Sequence, residues 1–487
     1  MATAQKHIVS LVHNRVEGDS RVIKVAQAAQ NAGYRATIVG VTSAPKVQSI
    51  VVEGVPTLRV PNFSKNLKRQ GLWGNAVHDV QLLVGGHIKR TIPEIVALDP
   101  DIIHSHDIRG LKLGAVAREE MISRRKHVAW VHDIHEFVAG LKGDRAEEYV
   151  PPSLNWEREF LHRADHLFTV SERLAYEIST RYSLHRTPTV TLNTPKKCKL
   201  KPGSPDVRSA IGLDIQVPLV VFVGGASPLR GCDTILEAIR ALPRVHLCMV
   251  SKGEYVNELL ARAKNTGFGE RIHRLDYVPT DDVSNFIRSA DVGIHGLVHY
   301  PNAEVAMPNK LFEYLHAKLP VAVSDVASMK TFVDTTGVGK SFEAENAASC
   351  ASTISEVLAH RERYRKRITS EILDTYSWQK QEQAIQDVYT ALLLEQPEVS
   401  EERHAFSLAW LKADRTHFEA YYARSLAEII QEENRSLLTQ FCRMRDDYQV
   451  DAASIKKTLK YIVKRTGKPS ALKNFASAVR RRFSGET

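Results

Sequence analysis

Cysteine is scarce in this sequence and long apolar runs are missing, and both absences limit the class of protein it can encode. The five cysteines are scattered at Cys198, Cys232, Cys248, Cys350 and Cys442, with no CxxC pair and no histidine at zinc-ligand spacing. This scatter argues against a disulfide framework or a zinc site and predicts reduced thiols in a reducing compartment. Because no run of 18 apolar residues occurs and the N-terminus has only a short apolar stretch, we expect neither a membrane span nor a signal peptide.

Positive charge is concentrated at the C-terminus. The 487 residues carry 66 Lys or Arg and 56 Asp or Glu, a net charge of +10, with 43% apolar residues. Residues 451–487 hold ten of the basic residues and two acidic ones, so this tail has a net charge of +8 and the rest of the chain is nearly balanced. The composition is that of a globular protein of two to four domains, and the tail predicts an anionic partner.

Strand and helix patterns alternate through the first 195 residues. An apolar run at 7–12 is followed by a polar loop, a helical pattern that ends at Gly33, and a second apolar run at 36–41. This βαβ unit implies a parallel sheet. Further strands are predicted at 51–60, 101–104, 127–131 and 166–170. Residues 1–195 are therefore predicted to form one α/β domain.

The same alternation restarts after a polar stretch at 193–218 that is rich in proline and lysine and suits an interdomain connection. Residues 205–375 are predicted to form a second α/β domain of similar size. Beyond it the strands stop, and residues 376–395 have a helical pattern. Residues 396–450 repeat apolar positions every three or four residues. They predict a helical appendage that packs on the body, on a second copy of the chain or on a protein partner.

The tail at 451–487 has the pattern of a basic amphipathic helix. Its first half places four apolar residues on one helical face, with lysine and arginine around the other: Ile455, Leu459, Ile462 and Val463. Such helices bind anionic membrane surfaces, and each cation contributes about 1 kcal/mol near the surface. A solvated helix, a disordered basic end or a protein partner is the alternative. Nucleic acid is disfavoured because the tail has no aromatic stacking platform.

Three places carry the residues that bind phosphate on α/β folds, where glycine lets the backbone approach closely, helix N-termini offer N–H groups and a cation balances the charge. The first is the loop at 13–21, in which Asp19 or Ser20 could also serve only as a helix cap. The second follows a buried strand at 223–231, and the third begins a helix at 307–325. Their candidate residues are Gly18, Arg21, Gly224, Gly225, Arg230, Pro308, Asn309, Lys310 and Glu313.

The order and spacing of these stretches resemble the retaining glycosyltransferases of family 4. The second half carries the more specific stretches, VGGASPLRGCDTILEAI, VHLCMVSKG, IHRLDYVPTDDVSNFIRSADVGI and MPNKLFEYLHAKLPVAVSD. The first half matches through DPDIIHSHD, VAWVHDIHE and ADHLFTVSERLAYEI. The resemblance covers about residues 7–393 and implies the GT-B fold, an α/β architecture of two Rossmann-like domains that face each other across a cleft. A C-terminal α-helical extension would follow, with helix 376–395 crossing back to the first domain.

The resemblance also implies a role for individual residues. Arg230 and Lys310 would neutralise the donor diphosphate, and Glu313 would hold the ribose hydroxyls. Backbone around Tyr277 would meet the base, and His132 would contact the transferred sugar. We therefore expect the catalytic residues to be His132, Arg230 and Lys310. The expected substrate-binding residues are Gly18, Arg21, His106, Gly224, Gly225, Tyr277, Glu304, Pro308, Asn309 and Glu313. No cofactor or metal is expected, because fixed cations and helix N-termini can stabilise the departing diphosphate.

Two positions depart from the family pattern. Many members have an arginine where this chain has Gly225, and the first of the family's paired acids would fall at Val305. Glu304 could take its place if the loop is shifted. Otherwise sugar recognition would come from neighbouring backbone and from Asn302 or Asn309.

Four histidines follow predicted strands of the first domain, namely His104, His106, His132 and His135. Polar residues at strand C-termini collect ligand contacts in such folds, so substrate contact is the main interpretation. Structural polar residues and a metal site are the alternatives.

Taken together, these features predict a cytoplasmic enzyme, peripheral on the inner face of the membrane. It would move a sugar from a nucleotide donor to a cell-envelope glycan or a lipid-linked acceptor, with retention. A nucleotide-sugar epimerase or hydrolase of the same fold, and a catalytically weak binding subunit of a glycosyltransferase complex, are the alternative functions.

Overall fold

The structure is a computed structural model that describes residues 5–62, 80–143, 146–197, 203–395 and 397–421. Its first sheet has eight strands in the order β3-β4-β2-β1-β5-β6-β7-β8. The strands are β1 (His7–Leu11), β2 (Arg35–Thr42), β3 (Gln48–Val52), β4 (Val55–Pro61), β5 (Ile102–His106), β6 (Ala129–Ile134), β7 (His166–Thr169) and β8 (Thr189–Val190). The helices of this half are α1 (Ser20–Asn31), α2 (Val80–Leu98), α3 (Asp107–Ile122), α4 (Ala146–Phe160) and α5 (Glu172–Tyr182). All neighbouring strands are parallel except β3 and β4.

The antiparallel pair β3–β4 corrects the prediction of a single strand at 51–60. The chain reverses at Glu53 and Gly54, which both have positive φ, at 45° and 82°. Two successive residues with positive φ make the tight turn that matches the twist of a hairpin. The sequence pattern missed the turn because apolar residues continue on both sides of it.

The second sheet has six strands, all parallel, in the order β11-β10-β9-β12-β13-β14. Its strands are β9 (Leu219–Val223), β10 (His246–Val250), β11 (Ile272–Leu275), β12 (Val292–His295), β13 (Val321–Ser324) and β14 (Gly339–Phe342). The helices are α6 (Val207–Ile211), α7 (Cys232–Arg240), α8 (Glu254–Asn265), α9 (Val283–Ile287), α10 (Pro301–Val305), α11 (Asn309–His316), α12 (Ala327–Thr336), α13 (Ala347–Ala359), α14 (Arg361–Arg367) and α15 (Ser370–Thr375). Single 3-10 turns lie at Val138–Gly140, Leu161–Arg163, Pro228–Arg230, Gly269–Arg271 and Thr280–Asp282. Two parallel-sheet α/β domains confirm the predicted fold class.

Helix α16 (Trp378–Leu394) returns from the second domain to the first. Its buried residues Trp378, Ile385 and Tyr389 pack in the same apolar cluster as β1 and α1. The hydroxyl of Tyr389 lies 2.6 Å from Nδ1 of His104, a buried residue of β5. The helix therefore ties the end of the second domain to the centre of the first sheet.

Residues 401–421 form a further helix, α17, that docks on the first domain. The buried carboxylate of Glu119 accepts hydrogen bonds from Arg163, Arg403 and Ser407, each at 2.7 Å. Leu411 enters the core of the domain, and the rings of Trp410 and Phe160 meet edge to face at 6.1 Å. The described part of the appendage thus packs on its own body. Residues 422–450 and the basic tail 451–487 lie outside the described residues.

Two sequence expectations concern cysteine and the membrane. Cys232, Cys248 and Cys350 are buried free thiols. Within the ranges that the structure describes, no helix combines the length and the apolar character needed to cross a bilayer.

Candidate active site

One wall of the cleft is built by the end of β9 and the start of α11. Gly224 follows β9 with φ of 99°, and a Cβ atom there would lie 3.3 Å from Nζ of Lys310. Glycine therefore lets the lysine approach the strand end closely. Lys310 lies in the first turn of α11, is 9% exposed, and places Nζ 4.5 Å above the ring of Phe222. Among the described residues no acceptor is bonded to this ammonium group.

The electrostatics of this wall follow from burial. Burial and the charge of Arg230 lower the pKa of Lys310 to about 7. Burial raises the pKa of Glu313, one turn further along α11, to about 7 against the opposing charges of Lys310 and Lys24. Lys24 comes from α1 of the first domain and donates to the carbonyl of Thr194 at 2.5 Å. Charged groups of both domains thus interact in the cleft, and an anionic ligand would favour the charged form of Lys310.

Arg230 lies against Gly225, the position at which many members of the resembled family have an arginine. Its Nη1 donates to the carbonyl of Gly225 at 2.5 Å, and a Cβ atom at position 225 would lie 2.6 Å from that nitrogen. Gly225 therefore makes room for the guanidinium. Gly231, which follows, has φ of 63° and no space for a side chain, because a Cβ would lie 1.7 Å from the carbonyl oxygen of Gly296.

Lys252 is a cation near this wall that the sequence reasoning did not select. It follows β10, the strand beside β9, and its Nζ lies 4.8 Å above the ring of Tyr277. The hydroxyl of Tyr277 in turn would be 3.7 Å from a Cβ at Gly225. The signal was present in the VHLCMVSKG stretch, since a lysine directly after a buried strand is placed at the ligand-binding edge of a parallel sheet.

Arg21 in the opposite wall has a structural role, and because it also lines the cavity described below, its predicted contact with substrate stays a prediction. Its Nε and Nη2 donate to both carboxylate oxygens of Asp133 at 2.7 Å, and its remaining donors reach the carbonyl and hydroxyl of Thr191 at 2.6 and 2.8 Å. Both partners are buried. Although burial alone would raise the pKa of Asp133, Arg21 and His135 hold it well below its usual range. The pair connects α1 to β6.

The loop before α1 also has a local role. Asp19 accepts a hydrogen bond from the backbone N–H of Val22 at 3.2 Å and so caps α1. Gly18 is exposed and has φ of 82°, as the turn into this cap requires. The loop therefore has the geometry of a helix cap, which was the alternative to a role in substrate binding. Gly18 is not among the residues that line the cavity described below.

Three of the predicted histidines, His104, His106 and His132, are buried in the first sheet, whereas His135 lines the cavity described below. Nδ1 of His132 lies 2.9 Å from the hydroxyl of Ser105, which also accepts from Nε1 of Trp130 at 2.8 Å. Burial lowers the pKa of His132 to about 3, so the imidazole is neutral at physiological pH. His106 is fully buried and stacks on His104 with ring centroids 4.3 Å apart. Contact of His132 or His106 with substrate stays a prediction, because both side chains lie in the core of the first sheet.

His104, His106 and Asp133 are a group that could hold a metal ion, with ligand atoms within 4.8 Å of one another. The guanidinium of Arg21, however, already binds both oxygens of Asp133. A metal cation would have to share that carboxylate with an adjacent positive charge, which is electrostatically unfavourable. These residues therefore do not fit a resident metal, and the expectation that none is required stays a prediction.

Glu304, the predicted substitute for the acid that is missing at position 305, already has hydrogen-bond partners in the structure. Its carboxylate lies 2.6 Å from Nδ1 of His299 and accepts from the backbone N–H of Ala327 at 2.8 Å, so it is held on the start of α12. Val305 is buried and joins the apolar core of the first domain, and its carbonyl accepts from the hydroxyl of Ser171 at 2.6 Å. A role for Glu304 in sugar binding therefore stays a prediction.

A cavity of about 260 Å³ lies between the first domain and the segment from α10 to the start of α11, and neither Lys310 nor Arg230 is among its lining residues. Of the site residues predicted from the sequence, Arg21, Pro308 and Asn309 line it. Its lining is Asp19, Arg21, His135, Glu136, Val170, Leu174, Asn193, Asn302, Val305, Ala306, Met307, Pro308 and Asn309. Glu136 and Asn193 are the polar members that sequence reasoning missed, although both follow strands of the first sheet.

Comparisons with known proteins agree with this architecture. Residues 19–193 match the family model of the glycosyl transferase 4-like domain, and residues 217–360 match that of glycosyl transferases group 1. The chain is 26% identical to the D-inositol 3-phosphate glycosyltransferase of Mycolicibacterium smegmatis over 293 residues, which are 57% of this chain. It spans 64% of the length of that relative.

Solved structures with low sequence identity share the fold. The sucrose-phosphate synthase of Thermosynechococcus elongatus superposes with a TM-score of 0.62 at 16% identity, over 80% of this chain and all of that one. The Anabaena protein HepE, solved in complex with UDP and glucose, superposes with a TM-score of 0.59 at 16% identity, over the same shares of the two chains. With the two family models on both domains, the chain belongs to the family 4 type of glycosyltransferases and has the GT-B fold.

Proposed function

We propose that this chain transfers a sugar from a nucleotide diphosphate donor. The observation that carries the proposal is the lysine in the first turn of α11, which lies beside the end of β9. Lys310 is buried at the start of a helix, with no acceptor bonded among the described residues, and Arg230 lies beside the neighbouring glycine. Departure of a nucleotide diphosphate builds negative charge on the β-phosphate. Fixed cations and helix N-termini in a partly desolvated site stabilise that charge without reorganisation.

The likeness to known proteins indicates which compounds to test first. HepE was solved with UDP and glucose, and the mycobacterial relative is named for D-inositol 3-phosphate. UDP-glucose is therefore the first donor and D-inositol 3-phosphate the first acceptor. A cell-envelope glycan or a lipid-linked saccharide is the proposed natural acceptor. The +8 charge of residues 451–487 supports this proposal, because it suits a cytoplasmic enzyme held peripherally on the inner face of an anionic membrane.

Incubation of the full chain with a panel of radiolabelled nucleotide sugars tests the proposal. Transfer to an acceptor, with the anomeric configuration of the product determined by NMR, would support a retaining transferase. Arg230→Ala and Lys310→Ala should each lower donor affinity at least tenfold, since each removes a charge-assisted contact to phosphate. Lys264→Ala, which removes an exposed cation of α8, is the matched control and should leave affinity unchanged.

Two results would favour the alternative functions. Epimerised or hydrolysed sugar in the absence of acceptor would indicate a nucleotide-sugar epimerase or hydrolase. No donor binding, unaltered by either substitution in the cleft, would refute the enzyme and leave a binding subunit. For the tail, liposome flotation on anionic vesicles should fall when residues 451–487 are removed, and unchanged flotation refutes membrane docking.

A further inference from the structure

The sugar-binding side of the cleft lacks the acid that the family resemblance places at position 305. Val305 instead belongs to the apolar core of the first domain, and Glu304 is engaged with His299 and the start of α12. A carboxylate that binds sugar hydroxyls would therefore come from elsewhere in the cavity wall.

Helix α10, which contains Val305, is held against a segment of the first domain that starts at Glu136. The side-chain oxygen of Asn302 accepts from the backbone N–H of Phe137 at 2.8 Å. Gly140 lies so close that a Cβ atom there would be 2.6 Å from the backbone nitrogen of Asn302. These contacts fix the backbone of the residue that directly follows Glu136. The glutamate is thereby placed in the cavity that α10 also lines.

The cavity holds two hydrogen-bond acceptors that have no donor. Glu136 is solvent-exposed in the cavity wall and forms no hydrogen bond or ion pair with any residue that the structure describes. The side-chain oxygen of Asn193 is buried and has no partner, while its amide nitrogen lies 3.5 Å from the hydroxyl of Ser20. A buried acceptor is rarely left unpaired, so the oxygen of Asn193 calls for a donor from a ligand or a water molecule, and the exposed carboxylate of Glu136 can accept from a ligand in the same cavity.

The cationic groups of this wall already face an anion, because Arg21 donates to Asp133 and Thr191, and Nε2 of His135 lies 3.5 Å from the same carboxylate. The unpaired groups of the cavity are therefore acceptors that need hydrogen-bond donors. Sugar hydroxyls supply such donors, and phosphate does not. The volume of about 260 Å³ is below the roughly 300–1,000 Å³ of pockets for drug-sized ligands and suits one sugar ring rather than an oligosaccharide.

We infer that Glu136 and Asn193 bind the hydroxyls of a single sugar ring in this cavity, in place of an acid at position 305. This inference rests on the proposed transfer from a nucleotide sugar. The ring is either the sugar of the donor or that of the acceptor, and both present the same hydroxyl chemistry. The two acceptors belong to the first domain, whereas Lys310 and Arg230 belong to the second.

Calorimetry on the full chain distinguishes these sources. Affinities for UDP and UDP-glucose, or for the nucleotide pair that the donor panel selects, are measured for the unchanged chain, Glu136→Gln and Asn193→Ala. Glu159→Gln, at an exposed position on α4, is the matched control. If the donor sugar occupies the cavity, the gain in affinity from nucleotide to nucleotide sugar should fall about tenfold in both cavity variants, as expected for loss of a hydrogen bond to a charged or buried group. Affinity for the bare nucleotide should not change.

If the acceptor sugar occupies the cavity, donor affinity stays constant and the KM for the acceptor rises about tenfold, with a smaller effect on kcat. Either pattern supports the inference, provided that Glu159→Gln has neither effect and the variants keep the unfolding midpoint of the unchanged chain. Unchanged sugar affinity and unchanged acceptor KM in both cavity variants overturn it while the proposed transfer stands. Failure of the unchanged chain to bind any nucleotide overturns the proposed function itself and with it this inference.

Discussion

The two walls of the cleft differ in whether their basic side chains already have hydrogen-bond partners. In the first domain Arg21 is bonded to Asp133 and Thr191, His132 to Ser105, and His104 to Tyr389. In the second domain Lys310 has no anion, and Arg230 is bonded only to a backbone carbonyl among the contacts that the described residues make. Side chains that satisfy one another stabilise the fold, whereas unsatisfied ones mark where a ligand supplies the missing group. The charge of a residue alone does not separate these two cases.

The largest loss of unfolding free energy is expected in the first-domain wall, where Arg21 and Asp133 are paired. Asp133→Asn leaves the buried guanidinium of Arg21 without its counter-charge, and removing one member of a buried pair costs about 3–5 kcal/mol of unfolding free energy. Denaturant unfolding followed by circular dichroism measures the loss. The double variant Arg21→Met, Asp133→Leu should recover part of it, because no unpaired charge remains. An unchanged unfolding midpoint in Asp133→Asn would show that the pair does not stabilise this wall.

In the second-domain wall, substitution of Lys310 should lower ligand affinity and leave stability intact. Lys310→Met removes an ammonium that has no partner within the described chain, so stability should not fall, since a buried unpaired charge is itself unfavourable. Affinity for UDP should drop by about tenfold to a hundredfold, as for a lost hydrogen bond to a charged group.

Calorimetry and thermal unfolding of the same preparation measure both quantities, with Lys264→Met as control. Reduced stability together with intact UDP affinity would contradict the assignment of Lys310 to the diphosphate.

A third substitution tests whether paired cations outside the cleft behave like those of the first wall. Arg403→Met removes a partner of the buried carboxylate of Glu119 and should weaken the docking of α17 by about 1–2 kcal/mol, because Arg163 and Ser407 still bond that carboxylate. Limited proteolysis should cleave within 401–421 faster than in the unchanged chain. Lys412→Met, at an exposed position of the same helix, should have no effect. Equal cleavage of both variants would show that Arg403 does not secure α17.

The sequence predicted the second wall better than the first. A strand that ends in Gly224 and a helix that begins near Lys310 are local patterns, and parallel strands bring their ends together at one edge of the sheet. The pairing of Arg21 with Asp133 joins positions 112 residues apart in the chain, and no local pattern signals it. No local pattern signals Glu136 either, because its place in the cavity depends on the packing of α10, from the other domain, against the residue that follows it.

The smallest expected effect is a proton taken up when nucleotide binds. Burial and Arg230 lower the pKa of Lys310 to about 7, so above that pH much of the free protein carries a neutral amine. A diphosphate beside Nζ favours the ammonium form and raises this pKa, and UDP binding at pH 8 should therefore take up a fraction of a proton. Its affinity should decline as the pH rises above 7. Calorimetry in two buffers of different ionisation enthalpy measures the uptake. Lys310→Met should remove most of it and leave what Glu313 and Lys24 contribute, since burial brings the pKa of each of these two groups to about 7. Equal uptake in both proteins would mean that Lys310 does not meet the phosphate as an ammonium group, and the contrast between the two walls would then rest on Arg230 alone.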